Sequence, residues 1–385
     1  MSTVENDRTS GKGLSENRWT IGVEEEFQIV DRATRALLPH GARIVADAQH
    51  AVGEAAQHEL FLAQIETGTP ICRTLGDVRE QLIRLRRAVI EAAQSDGGEI
   101  AAAGTHPFSL VDEQPIAPKA RYLGLADLYQ QLTREHLICG CHVHVGVNDR
   151  ELAIQIMNRA RGWLAPLIAL AANSPYWEGE ETGYASFRTE VWRRWPMAGS
   201  PHPFRNRAEY ETLTRTLVET GAIADETRIY WDIRPADRFE TLEFRATDVC
   251  LTVDEAVMIA GLCRSLARKL AADVEQDAQR EAVYIAVRPE LLRAAEWGAA
   301  RYGLEENLID VHAGRAVPAA ENVETLLQFL RDDLEDYGDW DEVSTLVREV
   351  LVRGNGAQRQ RMALEKRGEW SDVVDLVVAE TARGL

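Results

Sequence analysis

Four short stretches of this 385-residue chain set ionisable residues two apart: Glu24 and Glu26, His142 and His144, Asp232 and Arg234, Glu243 and Arg245. In a strand, residues i and i+2 project to the same side, so each pair shares a face. Over 22–29 that face carries Glu24, Glu26 and Gln28, backed by Val23, Glu25, Phe27 and Ile29. Over 139–147, His142, His144 and Gly146 are backed by Cys141, Val143, Val145 and Val147. Over 241–247, Thr241, Glu243, Arg245 and Thr247 are backed by Leu242, Phe244 and Ala246, and Tyr230, Asp232 and Arg234 by Trp231 and Ile233. One such alternation is what any antiparallel sheet with a wet face shows. A face that repeatedly draws on Glu, His, Asp and Arg, rather than Lys, Thr, Ser and Gln, is equipped for reaction.

Oxygen donors dominate this set: Glu24, Glu26, Glu243 and Glu66, the last just before the Thr67-Gly68-Thr69-Pro70 break. Several carboxylates with one or two imidazoles suit Mg²⁺ or Mn²⁺, whereas structural zinc prefers cysteine and histidine. Arginines on the same face offer the planar fork that grips phosphate. Together these parts point to phosphoryl transfer, where most of the work is positioning and charge neutralisation. The chain has no G-x-x-x-x-G-K-[ST] loop and no G-x-G-x-x-G after a strand, so any nucleotide must be held by metals and arginines on the sheet. Two other readings use the same residues: a metal-dependent hydrolase with His142 and His144 on zinc, and a non-catalytic nucleotide or small-molecule sensor. Against the hydrolase, Arg234 and Arg245 would face the dication with no phosphate to balance them.

The elements that must position these residues follow a mixed order rather than a regular βαβ alternation. Helices are predicted over 42–52, over 74–93 with an apolar stripe at Leu75, Val78, Leu82, Leu85, Val89 and Ala92, and over 149–172 with Asp149 as cap. The pattern Thr252-Val253-Asp254-Glu255 predicts a capping box that opens a helix running to about 272. Pro289 opens another that Gly303 closes, and 322–385 reads as helices separated by Gly338, Gly354-Asn355-Gly356 and Gly368. A strand is predicted over 99–103 as well, and the segment 60–66 ends at the Thr67-Gly68-Thr69-Pro70 break. The expected architecture is α+β: a largely antiparallel sheet with helices on its apolar side, one domain over 18–385 after a disordered leader, 1–17.

The net charge of −19 argues against a nucleic-acid partner, which needs clustered Lys and Arg. No run reaches the roughly twenty apolar residues that a bilayer requires, and 1–17 lack an apolar signal core, so no membrane partner is expected. Five scattered cysteines, Cys72, Cys139, Cys141, Cys250 and Cys263, form no CxxC pair and suggest a reduced, cytoplasmic protein. Cys141 points away from His142 and reads as a small core residue rather than a nucleophile. His106, His202 and His312 read as solvated loop residues, Arg84 to Arg87 as the wet side of a helix, and Trp192, Trp195 and Trp231 as core or pocket wall.

Five ordered blocks carry a resemblance to a known family: Gly22-Val23-Glu24-Glu25-Glu26-Phe27-Gln28, Gly140-Cys141-His142-Val143-His144-Val145-Gly146-Val147, Arg194-Trp195-Pro196-Met197-Ala198-Gly199, Trp231-Asp232-Ile233-Arg234-Pro235 and Thr241-Leu242-Glu243-Phe244-Arg245-Ala246-Thr247-Asp248-Val249-Cys250. From about Trp19 to the last helix the chain resembles the bacterial carboxylate-amine ligases grouped as type 2 glutamate-cysteine ligases. The resemblance implies a fold like the catalytic domain of glutamine synthetase, with ATP and metals over a curved antiparallel sheet. It implies that ATP phosphorylates the side-chain carboxylate of glutamate and that an amine, cysteine or another, displaces phosphate to give a γ-glutamyl amide. Carried over by motif, Glu24, Glu26, Glu66, His142 and Glu243 are metal ligands, His144 lies near the phosphates, and Arg245 stabilises the transferring phosphoryl group. Asp232 and Arg234 are substrate-binding candidates. The segment 184–207 lies between two site strands and is expected to form a lid, with Arg188 and Arg194 as candidate forks for a substrate carboxylate. The expected partners are therefore small molecules, and a homo-oligomer is left open.

Overall fold

The computed structural model describes residues 18–279 and 286–385; the expected disordered leader over 1–17 lies outside them. Its main sheet comprises β1 (Ile21–Asp31), β2 (Ala56–His58), β3 (Gln64–Gly68), β4 (Gly98–Ala101), β5 (Gly140–Gly146), β6 (Ile233–Pro235) and β7 (Thr241–Asp248). The order is β6-β7-β5-β1-β3-β2, every pairing is antiparallel, and β4 pairs with the end of β1. Gln28 of β1 is matched to both Gln64 and Ala101, so β3 and β4 lie on opposite edges of that strand.

The apolar side is as the alternation predicts. Val23, Phe27, Val143, Val145, Leu242 and Phe244 are all buried, and they pack beneath α1 (Gly41–Val52), α2 (Leu75–Ser95), α3 (Arg150–Ala160), α4 (Leu164–Ala171) and α5 (Val253–Gln279). Each large aliphatic or aromatic side chain taken out of water there contributes ~1.5–3 kcal/mol. α5 touches α2, α3, α4, β1 and β5, and so lies across the underside of the site strands.

Local signals account for the helix ends. Thr74 and Asp77 form a capping box at α2, Asp149 accepts the N–H groups of Glu151 and Leu152 at α3, and Thr252 and Glu255 exchange bonds at α5. The helix predicted over 149–172 is two helices, with a 3-10 turn at Arg161–Trp163 between them. Pro166 has no N–H to continue the ladder and clashes with the carbonyl four residues back, so the helix restarts with proline in its first turn. The C-terminal region is Ala319–Asp336, Trp340–Arg353, Gly356–Arg367 and Trp370–Thr381, with Gly338, Gly354 and Gly368 at positive φ between them.

Three expectations fail on the inner side of the sheet. Arg86 is not on the wet face of α2: it is fully buried and grips Glu25 through Nε (3.0 Å) and Nη2 (2.5 Å), while its Nη atoms donate to the carbonyls of Cys250, Leu251 and Thr381. Arg84 and Arg87 are exposed as expected. His106 is no solvated loop residue either, because it is buried, with Nδ1 accepting the N–H of Ser109 (3.0 Å) and Nε2 facing the Arg35 carbonyl (3.0 Å). Thr247 leaves the polar face: β7 matches Phe244 to Val143 but Thr247 to Cys141, so one extra residue is bulged out between them. His202 and His312 are exposed, as their turn contexts predict. No helix among the described residues is long and apolar enough to cross a membrane.

Candidate active site

The registers bring the ionisable pairs together across strands. Glu24 lies opposite His142, Glu26 opposite Glu66, and Glu243 opposite both His144 and Arg234. Side chains at directly matched positions are neighbours. They line a cavity of about 420 Å³ whose walls include Glu24, Glu26, Glu66, His142, His144, Arg188, Arg234, Glu243 and Arg245. Two sequence candidates are not in its wall. Arg194 is about a third exposed and pairs with Glu135 (2.7 Å), and Asp232 is buried at a bend between Trp231 and Ile233, where it accepts the indole N–H of Trp192 (3.1 Å). That bend breaks the alternation that would have set Asp232 beside Tyr230 and Arg234.

Within the cavity, His142 Nδ1 is 3.3 Å from Glu24 Oε2, and His144 Nε2 is 3.3 Å from the other Glu24 oxygen. His144 Nδ1 meets Thr241 Oγ1 at 3.0 Å. Glu243 is held by Arg234 Nε at 2.8 Å and by Arg245. Glu26 accepts the backbone N–H of Gly140 at 2.6 Å. Buried nitrogens are left over: Nε2 of His142 and Nε of Arg188 and Arg245 have no hydrogen-bond partner. Orphaned buried donors and acceptors are costly, so their concentration in one cavity is a mark of function.

The charges divide the cavity in two. On the β7 side, burial pushes Glu243 up, but Arg245 and Arg234 outweigh it and hold the carboxyl at about 2. Burial also raises Glu24, yet the charge of His144 and bonds from both imidazoles bring it well below the usual range. Burial and the Arg245 charge lower His142 to about 4, whereas for His144 the Glu24 carboxylate outweighs burial and raises it. On the β3 side, burial and the Glu59 charge push Glu26 up to about 8. Glu66 is raised well above its ordinary range by burial and by Glu24, Glu59 and Glu26, and Glu59 is raised by burial. Among the described residues, none of Glu26, Glu59 and Glu66 is ion-paired to arginine or lysine. These acids repel one another, and the charges of Arg121, Arg188 and Arg245 offset only part of the cost of burying them.

Donor atoms of Glu24, His142 and Glu243 lie within 4.8 Å of one another, a spacing that one metal ion could bridge. The unpartnered Nε2 of His142 and the raised carboxyls of Glu26 and Glu66 fit a hard divalent cation, so the residues present are consistent with Mg²⁺ or Mn²⁺. Glu59, Arg121, Tyr122, His136, Arg238 and Phe239 also line the cavity and were not found from sequence. They sit in connections or on a short helix (Ala120–Tyr129), where no two-residue period marks a face.

The model of glutamate-cysteine ligase family 2 matches residues 20–380. This chain belongs to glutamate-cysteine ligase family 2. Among its relatives, "Putative glutamate--cysteine ligase 2" of Rhodopirellula baltica is 42% identical over 367 residues, covering 94% of this chain and 96% of that protein. "Putative glutamate--cysteine ligase 2-2" of Frankia alni is 41% identical over 376 residues, covering 94% and 97%. In fold, this family member is similar to the glutamate–cysteine ligase of Francisella tularensis, solved in complex with AMP, with a TM-score of 0.70 at 12% identity, covering 96% of this chain and 90% of that one. A bifunctional glutathione synthetase from Pasteurella multocida gives 0.67 at 16% identity, covering 95% and 53%. The glutamine synthetase-like α+β fold implied by the sequence blocks agrees with these matches.

Proposed function

We propose that this family 2 member is an ATP-dependent carboxylate-amine ligase acting on the side-chain carboxylate of glutamate or a related acid, with cysteine or another amine as acceptor. The observation that carries the reading is the convergence, in one cavity over the sheet, of acids without an arginine or lysine ion pair among the described residues (Glu26, Glu59, Glu66) and a guanidinium, Arg245, beside Glu243. Family membership and the fold shared with a ligase solved in complex with AMP support it.

In this reading Glu24, Glu26, Glu66, His142 and Glu243 would hold Mg²⁺ or Mn²⁺. A bound divalent cation would neutralise phosphate charge while the γ-phosphoryl group moves. His144, steered by Thr241, faces the phosphates, and Arg245 stabilises charge that develops on the transferring group. Arg234 pins the far oxygen of Glu243, so that carboxylate is oriented before substrate arrives. An oxygen of the acid attacks the γ-phosphorus of ATP, the bond to the β-phosphate oxygen breaks, and ADP leaves. The amine nitrogen then attacks the acyl carbon, inorganic phosphate leaves with the C–O bond electrons, and the nitrogen loses a proton to give the amide. Activation is needed because a carboxylate is a poor electrophile until its oxygen becomes a good leaving group. Arg121 and Arg238 line the cavity without a carboxylate partner among the described residues, and they are available to a substrate carboxylate.

The test is ADP release by purified protein across pairs of amino acids and amines, with hydroxylamine added to intercept the acyl phosphate as a hydroxamate. ADP and phosphate appearing only when both substrates are present supports the ligase. AMP and pyrophosphate would indicate an adenylate and end this reading. For the zinc hydrolase alternative, His142 and His144 should share one ion, but among the described residues the converging donors are Glu24, His142 and Glu243.

A further inference from the structure

The bulge in β7 leaves a question that the catalytic residues do not answer. Between Phe244 and Thr247 the pairing with β5 slips by one residue, so Arg245 and Ala246 have no matched partner on β5. Buried carbonyls need donors. Both find one in Arg188, whose Nη2 lies 3.2 Å from the Arg245 carbonyl and whose Nη1 lies 3.4 Å from that of Ala246. Arg188 is 1% exposed and belongs to the short helix Phe187–Trp192. That helix is anchored to the same strand: Asp248, the last residue of β7, accepts the hydroxyls of Ser174 (2.6 Å) and Ser186 (2.7 Å), and Ser174 accepts the Arg188 N–H (3.1 Å).

The surroundings keep the guanidinium in place. The Arg188 and Arg245 Cζ atoms lie 5.6 and 5.3 Å from the ring of Trp192, whose indole N–H is tied to Asp232. The Arg245 N–H donates to the Asp232 carbonyl at 2.8 Å. A Cβ on Gly140 would collide with the Arg188 guanidinium, so the residue whose N–H holds Glu26 must also be glycine to admit Arg188.

We propose that Arg188 is a positioning residue, which fixes the bulged backbone of Arg245 so that the Arg245 guanidinium points into the site, rather than a fork for a substrate carboxylate. This rests on the ligase reading for its kinetic consequence, but not for its structural one. With both bulge carbonyls satisfied from the side, Arg245 keeps one direction. Without Arg188 the bulge can slip back toward regular pairing and turn its side chain.

The test pairs kinetics with a structure. Arg188→Met should cut kcat by about 100-fold, the scale of losing one aimed charge-stabilising group, with KM for ATP and for the acid changed by less than about threefold. Arg188→Met combined with Arg245→Ala should be no slower than Arg245→Ala alone, because the first residue acts through the second. Arg188→Lys, which keeps the charge but has one donor head, should recover part of the rate and replaces the methionine variant if that one fails to fold. A raised KM for the acid at unchanged kcat would restore the fork, and multiplying losses would show an independent role. Should wild type release no ADP with any acid and amine, the ligase reading fails by itself. The crystal structure of the Arg188 variant then decides: Arg245 displaced from Glu243 and Trp192 supports the proposal, and Arg245 unmoved overturns it.

Discussion

Replacing Arg86 by Met should be among the most damaging single changes in this chain, and more damaging than replacing its partner Glu25 by Gln. Both side chains are fully buried beneath the site, between the strand that carries Glu24 and Glu26 and the helix α2. Breaking a buried ion pair by removing one member costs ~3–5 kcal/mol, because the other is left charged and dry. Arg86→Met also strips donors from the carbonyls of Cys250, Leu251 and Thr381, at ~1 kcal/mol or more each. The sum, ~6 kcal/mol or more, is comparable with the whole stability of many domains, typically ~5–15 kcal/mol. Glu25→Gln leaves the guanidinium its three carbonyl acceptors and a neutral amide oxygen, so it should cost ~2–3 kcal/mol. The double variant should be less unstable than the sum of the singles by ~2 kcal/mol, since it leaves no unpaired charge in the core. Urea unfolding followed by tryptophan fluorescence measures all three. If Glu25→Gln proves as costly as Arg86→Met, or if the two effects add, the asymmetric clamp described for Arg86 is wrong.

Glu24→Gln, Glu26→Gln and Glu243→Gln should each lower ligase turnover at limiting Mg²⁺ by about 100-fold or more while leaving the far-ultraviolet circular dichroism unchanged; near-normal turnover would remove that residue from the ligand set. Cys141→Ala should keep turnover and lose ~1 kcal/mol of packing, and a folded but inactive variant would restore a nucleophilic role. His106 is held by burial at about 4, below its ordinary 6.5. Its stabilising contribution is therefore complete above pH 6.5 and lost as pH falls from there toward 4, up to ~3 kcal/mol. His106→Asn, which retains an acceptor for the turn, should flatten the fall in melting temperature between pH 7 and pH 4.5; parallel curves would count against this assignment.

How far the sequence carries depends on which physical rule each residue obeys. Glu24, Glu26, His142, His144 and Glu243 could be read because a two-residue period fixes a face wherever the strand is regular, and matched registers then bring those faces together. Thr247 and Asp232 depart from their expected faces where regularity ends, at a bulge and at a bend, neither of which leaves a trace in the period. The burial of Arg86 is not legible because, in sequence, a buried arginine on an apolar helix face looks like an exposed one until Glu25 is known to lie opposite. Glu59 and Arg121 escaped because they reach the cavity from connections, where position is set by tertiary packing alone. Arg194 shares a recognisable motif with its neighbours, but its side chain turns outward to Glu135.

The place of β1 bears on how the molecule acquires its chemistry in time. Strands from three distant parts of the chain hydrogen-bond to it, and even the Glu24–His142 contact spans 118 residues. Contacts of such separation are made late, because the entropy of closing long loops is spent before they reward it. Helices such as α2 and α5 form from local signals early, but the carboxylates of β1, β3 and β7 meet only when those strands and β5 are seated against one another. A nascent or partly unfolded chain would then hold its helices and no site, so that competence arrives in one step with the closing of the sheet.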